Sequence, residues 1–255
     1  MDNRLHASVL GNGPNVVLLH GLFGQGSNLA SIARALRQEF TVYSLDLPDH
    51  GRSFWSERAS IQGYAQAVAS WMTEQQLPNA HVVGHSLGGK VAMQLALTEP
   101  DRVRKLVVAD IAPLAYAPSH QSVLKGLANV ALQNCSSRRD AADILRETID
   151  DEAVVQFLLL SLKRDEGNVF RWQLNREGLS EAYARLSEAL HADGPFAGDT
   201  LFLRGALSDY VKAEHERHIA RLFPHYRLET IDNAGHWLHA EQAQCFNRQV
   251  VAFLR

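Results

Sequence analysis

A serine stands among glycines in the segment VVGHSLGG, residues 82–89. Gly84, Ser86 and Gly88 fit the pattern G-x-S-x-G, which arises by accident in about one chain in ten of this length. An apolar run typical of a strand precedes the pattern, and an apolar helical stripe follows it. In a tight turn from strand to helix, side chains at the two glycine positions would collide with the backbone. The segment therefore predicts a nucleophilic Ser86 raised above a sheet edge, the alternative being a serine that only caps a helix.

A serine hydroxyl is a poor nucleophile near neutral pH, so this chemistry requires a histidine base and an acid that orients it. Of the twelve histidines, His236 is the informative candidate, because it lies in DNAGHW between the last apolar run and the C-terminal helical pattern. Loops that follow parallel strands emerge at one edge of the sheet, so His236 and Ser86 should meet there. His225 and His239 are better suited to loop positions in contact with solvent.

Two aspartates could orient this histidine, and both lie between the serine and the histidine in the chain. Asp209 belongs to the segment LRGALSD, and Asp110 ends an apolar run in VVADIAP. Alternatively, Asp209 caps a helix that begins near Val211, and Asp110 accepts hydrogen bonds from backbone amides at a hinge. We favour Asp209 as the acid, with Asp110 as the alternate, because the loop of Asp209 adjoins the strand that precedes the histidine.

An ester carbonyl attacked by serine develops a negative oxygen, which two backbone amides can stabilise. One predicted donor is the amide of Leu87, at a helix N-terminus directly after the serine. The second is the amide of Leu22, or with less support Phe23, in the glycine-bearing segment HGLFG. His20 in that segment is interpreted as a structural brace. The loop DLPDHGRS, residues 46–53, is interpreted as scaffold for the same edge.

Six short apolar runs alternate with helical patterns along most of the chain. The runs span residues 16–19, 41–45, 80–83, 105–109, 200–203 and 227–231. Continuous apolar runs of this length suit strands buried on both faces, as in a parallel sheet. The predicted fold class is therefore α/β, with a mostly parallel central sheet covered by helices on both faces.

This alternation fails between about Pro113 and Pro195, where we find several helical patterns and no convincing strand. The stretch has roughly eighty residues, whereas a crossover needs about ten to twelve. We therefore predict a core of residues 1–112 and 196–255 with a helical cap inserted at 113–195, the alternative being a longer crossover. Four large apolar side chains could line a substrate pocket beneath the cap, unless they only pack the cap against the sheet: Phe157, Phe170, Trp172 and Trp237.

Composition excludes several classes of function. The 255 residues carry a net charge of -3, without a run of five like charges, so nucleic acid and membrane surfaces are not expected partners. The start MDNRLHASVL has no apolar signal region, and no stretch approaches eighteen apolar residues, which favours a cytoplasmic protein. The two cysteines form no C-x-x-C motif and no H-E-x-x-H motif occurs, so we expect no metal site. The sequence leaves the oligomeric state open.

The chain resembles the α/β-hydrolase family nearly end to end. VVLLHGLFG, DLPDHGRS, VVGHSLGG, RGALSDY and NAGHW stand in the order and at the intervals that this family shows. HGLFG, VVADIAP and FRWQLN are similar to the YbfF-type small carboxylesterases. The resemblance implies the α/β-hydrolase fold, a helical cap, esterase activity, no cofactor, and Ser86 and His236 as nucleophile and base. It leaves the acid open, and Asp49 occupies a position where many relatives have glycine.

These observations together predict a serine hydrolase of small to medium carboxylic esters. Ser86 would form an acyl-enzyme that water hydrolyses, with a small-molecule ester as the expected partner. Thioesters, or carbon–carbon bond cleavage by a hydrolase or lyase with the same residues, are alternatives within enzymes. A non-catalytic small-molecule binding module is the alternative from another class.

Overall fold

Seven strands form one central sheet in the computed structural model, which describes residues 4–190 and 192–255. The sheet has the order β1-β3-β2-β4-β5-β8-β9, in which only β1 runs antiparallel to its neighbour. Its strands are β1 (Ala7–Leu10), β2 (Asn15–Leu19), β3 (Thr41–Leu45), β4 (Ala80–His85), β5 (Val103–Ala109), β8 (Thr200–Gly205) and β9 (Tyr226–Ile231). Each of the six predicted apolar runs lies in one of these strands, which confirms the α/β fold class.

Strand β1 is the element of this sheet that the apolar runs did not predict. It pairs along one edge with β3, and Val9 is 54% exposed. An edge strand buries little surface, so its sequence does not need a continuous apolar run. By contrast, every residue of β4 is buried, because neighbouring strands and helices cover it on all sides.

Helices cover the sheet on both faces. The α-helices of the described residues, including four between β5 and β8 that do not belong to these two layers, are α1 (Ala30–Leu36), α2 (Ile61–Glu74), α3 (Leu87–Thr98), α4 (Gln121–Asn129), α5 (Arg138–Arg146), α6 (Glu152–Leu159), α7 (Arg176–Leu186), α8 (Glu216–Leu222), α9 (Leu238–Glu241) and α10 (Ala243–Leu254). Helices α1 and α10 pack on one face through Leu36 and Phe246, in a cluster with Val16. Helices α2 and α3 pack on the other face, in a cluster with Val17. None of the described helices is long and apolar enough to cross a membrane.

The segment between β5 and β8 stands apart from the sheet. It holds α4 to α7 and a two-stranded hairpin, β6 (Leu162–Arg164) and β7 (Phe170–Trp172), which pair antiparallel. The expectation of no strand in this segment is therefore wrong. Strands of three residues are too short to show a period, and β6 begins at the end of a block that reads as helix. We refer to the residues between β5 and β8 as the cap.

The cap is attached to the core by polar contacts around Asp49, a region that we call the cap–core junction. The Asp49 carboxylate is fully buried and accepts hydrogen bonds from Tyr64 Oη at 2.7 Å and Asn175 Nδ2 at 2.7 Å. It also accepts a hydrogen bond from the Ser56 amide at 2.9 Å. The Asn175 amide donates in turn to the Asp49 carbonyl at 2.9 Å. A carboxylate at this position thus joins the α2 helix of the core to the start of α7 in the cap.

Candidate active site

Ser86 occupies a strained turn between β4 and α3. Its backbone has φ 52° and ψ −118°, a conformation that side-chain-bearing residues rarely adopt. A Cβ on Gly84 would lie 2.2 Å from the Gly88 carbonyl oxygen, and a Cβ on Gly88 would lie 2.2 Å from the Leu19 carbonyl oxygen. Both contacts are shorter than any real Cβ contact, so only glycine fits at either position. The turn leads sharply from strand to helix and lifts the serine hydroxyl above the sheet, which is the position that a nucleophilic serine requires.

His236 reaches Ser86 from the loop that follows β9. Its Nε2 lies 2.9 Å from Ser86 Oγ. The loop folds inward across the neighbouring loop, where a Cβ on Gly205 would lie 2.3 Å from the Gly235 carbonyl oxygen. His85 supports this position from the turn, because its Nε2 hydrogen bonds to the His236 carbonyl oxygen at 2.8 Å. The structure therefore brings together the two residues that the sequence placed on one sheet edge.

Asp110 is the carboxylate that contacts this histidine. Its Oδ2 lies 2.7 Å from His236 Nδ1, and the side chain is fully buried. Oδ1 accepts a hydrogen bond from the Gly205 amide at 3.0 Å, and Oδ2 also accepts one from the Ser208 hydroxyl. The backbone of Asp110 has φ 53°, a region that aspartate tolerates better than most residues. Every oxygen of the buried carboxylate is thus satisfied while it holds the imidazole.

The sequence-based preference for Asp209 is corrected by this geometry. The Asp209 side chain is 94% exposed and pairs with Lys212 at 3.3 Å. In the same loop the preceding residue, Ser208, points inward to Asp110, and Asp209 points to solvent. Strands β5 and β8 both lie between the serine strand β4 and the histidine strand β9, so the strand order alone admits either aspartate. The prediction relied on the adjacency of the Asp209 loop to β9, but this adjacency does not determine which side chain of the loop faces the histidine.

The hydrogen-bond network assigns the protons on His236. A buried carboxylate can only accept, so Nδ1–H of His236 donates to Asp110. Nε2 then carries a lone pair and accepts the hydroxyl proton of Ser86. Tyr210 covers one face of the imidazole, with ring centroids 4.0 Å apart and an interplanar angle of 22°. The ring is thereby held in the orientation and tautomer that a general base toward Ser86 requires.

Three residues of this arrangement were missed by the sequence reasoning: His85, Ser208 and Tyr210. His85 is the variable residue before the serine in the G-x-S-x-G pattern, so the pattern assigns it no role. Ser208 and Tyr210 flank Asp209 in RGALSDY. The signal was present as a polar cluster, but a loop without periodicity does not tell which of its side chains turns inward.

The loop that follows β2 lies directly against Ser86. A Cβ on Gly21 would lie 3.2 Å from Ser86 Cβ. In this loop the Phe23 amide donates to His50 Nε2 at 3.1 Å, so it is not free to bind an oxyanion. No hydrogen bond to another described residue occupies the amides of Leu22 and Leu87. The geometry thus favours Leu22 over Phe23 as the second donor, with Leu87 as the first.

Two buried histidines, His20 and His50, brace this loop against residues 46–53. His20 Nδ1 bonds to the Gly21 carbonyl at 2.8 Å, and its Nε2 accepts from the Leu47 amide at 3.0 Å. His50 Nδ1 bonds to the Pro48 carbonyl at 2.8 Å. Burial, with a smaller effect of His20, lowers the pKa of His50 to about 3, and burial also lowers the pKa of His20. Both imidazoles are therefore neutral and structural, as the sequence suggested for His20.

A cavity of about 780 Å³ opens at Ser86 and His236 beneath the cap. Phe157 and Trp237 line it, with ring centroids 5.5 Å apart. The remaining wall is largely apolar and includes Leu29, Val123, Ile149, Val154, Leu158 and Leu160. A cavity of this size and character suits a small to medium apolar ligand.

Phe170 and Trp172 do not line this cavity, which corrects the prediction for these two residues. They alternate along β7 and so point the same way, into the packing of the cap. Arg164 lies over the Phe170 ring, 4.2 Å from its centroid. Both rings border a separate surface depression with Trp55. The alternative interpretation, that such side chains only pack the cap, holds for this pair.

A second, smaller cavity of about 50 Å³ adjoins Ser86 and is also lined by Leu22 and Leu87. We call it the inner chamber. Lys90, one helical turn after the serine, forms part of its wall and is 2% exposed. Its Nζ donates to the Ser187 carbonyl at 3.0 Å and to the next carbonyl of the cap at 2.6 Å. Burial lowers the pKa of Lys90 to about 8.

Comparison with known proteins places these features in a family. The matching family model is that of the alpha/beta hydrolase fold, over residues 14–243. A putative esterase/lipase of Haemophilus influenzae is 36% identical over 246 residues, which cover 95% of this chain and 84% of that protein. The esterase YbfF of Escherichia coli K12 is 33% identical over 247 residues, covering 95% of this chain and 94% of the other. The solved structure of a marine microorganism esterase gives a TM-score of 0.96 at 33% identity, covering 99% of this chain and 100% of that one.

Proposed function

This chain belongs to the α/β-hydrolase family and is an esterase/lipase-type hydrolase of the carboxylesterase kind, and we propose that it works through an acyl-enzyme on Ser86. The observation that carries the proposal is the continuous line of hydrogen bonds from Asp110 through His236 to Ser86. A carboxylate, an imidazole and a hydroxyl in this order form the arrangement that activates serine. The similarity to YbfF-type carboxylesterases, expected from the motifs, is confirmed by the relatives.

In the proposed first step, Ser86 Oγ attacks the carbonyl carbon of an ester while His236 Nε2 accepts the hydroxyl proton. Asp110 stabilises the imidazolium that forms. The amides of Leu22 and Leu87 donate to the negative oxygen of the tetrahedral intermediate. Each such donor contributes about 2.7–4 kcal/mol of transition-state stabilisation in comparable sites.

Collapse of this intermediate breaks the bond to the leaving oxygen, which takes the proton from His236 and departs as the alcohol. The product is an ester between the substrate's acyl group and Ser86. A water molecule then attacks this ester, with its proton passing to His236. The second intermediate collapses to release the acid and to restore the serine hydroxyl.

We propose small to medium carboxylic esters as substrates, because the cavity beside the serine is about 780 Å³ and mainly apolar. No described lysine or arginine lines this cavity, which favours neutral esters over substrates that carry several negative charges. Residues 113–195 supply much of its wall, and we propose that they act as a cap domain on a core of residues 1–112 and 196–255.

The decisive test is the hydrolysis of a series of p-nitrophenyl esters by wild type and by Ser86→Ala. We expect the variant to lose activity by about 10⁶-fold, to the background, for every acyl length. Wild-type activity should be highest for short or medium acyl chains. A Ser86→Ala protein that hydrolyses these esters at the wild-type rate would refute the proposed mechanism.

Labelling with a fluorophosphonate separates an enzyme from a binding module that keeps the pocket without turnover. Wild type should form one covalent adduct, which mass spectrometry of peptides locates at Ser86. The matched control is Ser53→Ala, a serine whose hydroxyl donates to the Asp46 carbonyl in the scaffold loop, and this variant should still be labelled at Ser86. Wild-type protein that resists labelling would favour the binding module.

A further inference from the structure

His120 is a cap histidine that borders both cavities at the nucleophile. It lines the large cavity together with Ser86 and His236, and it lines the inner chamber together with Ser86 and Leu87. Most of the surrounding wall is apolar. The cap also places Ser119, Ser122, Asp151 and Gln156 around the large cavity, but of these only Ser119 joins His120 in lining both cavities.

Tyr183 fixes the tautomer of His120. The Tyr183 hydroxyl lies 3.0 Å from the Ser119 amide, 3.1 Å from the His120 amide and 2.7 Å from His120 Nδ1. A phenol oxygen has two lone pairs and one proton. The two amides can only donate, so they use both lone pairs. The one hydroxyl proton of Tyr183 is consequently donated to His120 Nδ1, an atom that also lies 3.3 Å from Ser119 Oγ.

With Nδ1 as an acceptor, the neutral imidazole carries its proton on Nε2. No hydrogen bond from Nε2 to another described residue is formed, and the atom is not among the buried polar atoms without a partner. Since His120 lines the cavities, this N–H is available to a ligand. Burial, and secondarily the neighbouring His236, lowers the pKa of His120, so the imidazole stays neutral near pH 7.

The ring has little freedom to turn away. Tyr183 lies edge-on to His120, with centroids 5.7 Å apart at 86°, and Phe23 lies edge-on at 6.0 Å. A donor that is held in place before the ligand arrives loses little entropy on binding. A fixed N–H in a largely apolar wall forms a hydrogen bond with an acceptor atom of the ligand. A hydrocarbon group at the same place leaves this donor unpaired, which costs binding free energy.

We propose that His120 is a specificity-determining residue whose Nε2–H donates a hydrogen bond to an oxygen of the bound ester. This oxygen lies either in the acyl part or in the alcohol part of the ester, which we call its two arms. The site then favours esters with an ether, hydroxyl or carbonyl oxygen close to the scissile group over all-carbon esters of the same shape. Tyr183 acts as its positioning residue. This inference rests on the proposed function, because it needs an ester held at Ser86.

The test uses two pairs of esters that differ by one oxygen in place of a methylene group. In the alcohol arm, 2-methoxyethyl acetate is compared with butyl acetate. In the acyl arm, ethyl methoxyacetate is compared with ethyl butyrate. For each pair, the kcat/KM ratio of wild type is divided by the ratio of His120→Phe, which cancels the intrinsic reactivity of the esters. We expect this quotient to be about ten in one arm, corresponding to one hydrogen bond.

Two further variants keep the test independent of how well His120→Phe folds. His120→Gln retains an N–H donor and should restore part of the preference. Tyr183→Phe removes the hydroxyl that holds Nδ1, and it should lower the same ratio by about three-fold or more. The matched control is Tyr226→Phe. The Tyr226 hydroxyl lies near Glu216 and the residue lines neither cavity, so this variant should leave the ratio unchanged.

A quotient near ten in either arm supports the proposal and identifies the arm that carries the oxygen. A quotient of one in both arms for His120→Phe, or for Tyr183→Phe where His120→Phe does not fold, overturns it. In that case hydrolysis that still depends on Ser86 leaves the proposed function intact. Wild-type protein without Ser86-dependent hydrolysis of any of the four esters would overturn both.

Discussion

Two regions of the molecule bury an aspartate at positive φ, and they use it differently. At the strand ends, Asp110 (φ 53°) accepts from Gly205 and Ser208 and holds His236, whose second nitrogen remains directed at Ser86. At the cap–core junction, Asp49 (φ 68°) is fully buried. Its donors come from helix α2, the cap and the loop before α2, and none of them contacts the nucleophile.

The difference lies in what the partner of each carboxylate can still do. Asp110 holds an imidazole that has a free lone pair for a proton, so the network ends in a reactive group. The donors of Asp49 carry no further reactive group, so that network has only a structural role. A buried carboxylate is therefore informative about chemistry only through the group that it orients.

Among the predictions that test this comparison, the largest expected effect on kcat concerns Asp110 and Asp209, the two aspartates that the sequence could not separate. Asp110→Asn should lower kcat by about 10⁴-fold, because an amide allows the histidine to adopt the wrong tautomer. This loss corresponds to about 5.5 kcal/mol. Asp209→Asn, at an exposed position, is the matched control and should stay within two-fold of wild type. Steady-state kinetics on a short p-nitrophenyl ester provides the measurement, and equal losses in the two variants would contradict the assignment.

At the junction, Asp49→Ala should affect stability far more than chemistry. The change leaves the buried donors of Tyr64 and Asn175 without an acceptor, so the free energy of unfolding should fall by about 3–5 kcal/mol. The kcat of the folded fraction should change by less than ten-fold. Asp150→Ala, on the cap surface, is the control for denaturant titrations. If Asp49→Ala abolishes kcat in fully folded protein, the contrast between the two regions fails.

Gly21→Ala tests how closely the loop that follows β2 must approach Ser86. The added Cβ would lie 3.0 Å from His85 Nδ1 and 3.2 Å from Ser86 Cβ, so these side chains or the loop must move by a few tenths of an ångström. A misplacement of this kind should lower kcat/KM by about 10²-fold, with the fold retained. Gly194→Ala is the matched control, since a Cβ there meets nothing within 4 Å. Wild-type kinetics for Gly21→Ala would show that the loop does not need this close approach.

The smallest effect concerns His50, which links residues 46–53 to the loop that follows β2 through the Phe23 amide. Its pKa of about 3 in the folded chain lies below the value of 6.5 in an unfolded one, so the unfolded state binds the proton first. Stability from this group is fully present above pH 6.5 and is lost as the pH falls from 6.5 toward 3, by about 1.36 kcal/mol per pH unit. Denaturant titrations of wild type and His50→Asn between pH 7 and 5 should show a shallower slope for the variant. Parallel slopes would exclude His50 as a source of acid sensitivity.

Much of the fold was predictable because it follows from requirements on residues that are neighbours in the chain. The buried strands β2, β4, β5 and β8 need apolar side chains on both faces, so continuous runs identify them. The exposed edge strand β1 and the three-residue strands of the cap hairpin carry no such requirement. For the same reason, Phe157 and Phe170 are indistinguishable as sequence signals, yet only the first lines the large cavity.

The sequence by itself determined the turn around Ser86, the sheet edge that carries His236, and the family of the chain. These features depend on steric requirements between neighbours in the chain, as at Gly84 and Gly88. Only the tertiary structure decided that Asp110 rather than Asp209 meets the histidine. The reason is that contacts between loops distant in sequence follow from strand order and from which side chains turn inward, and no local pattern specifies either.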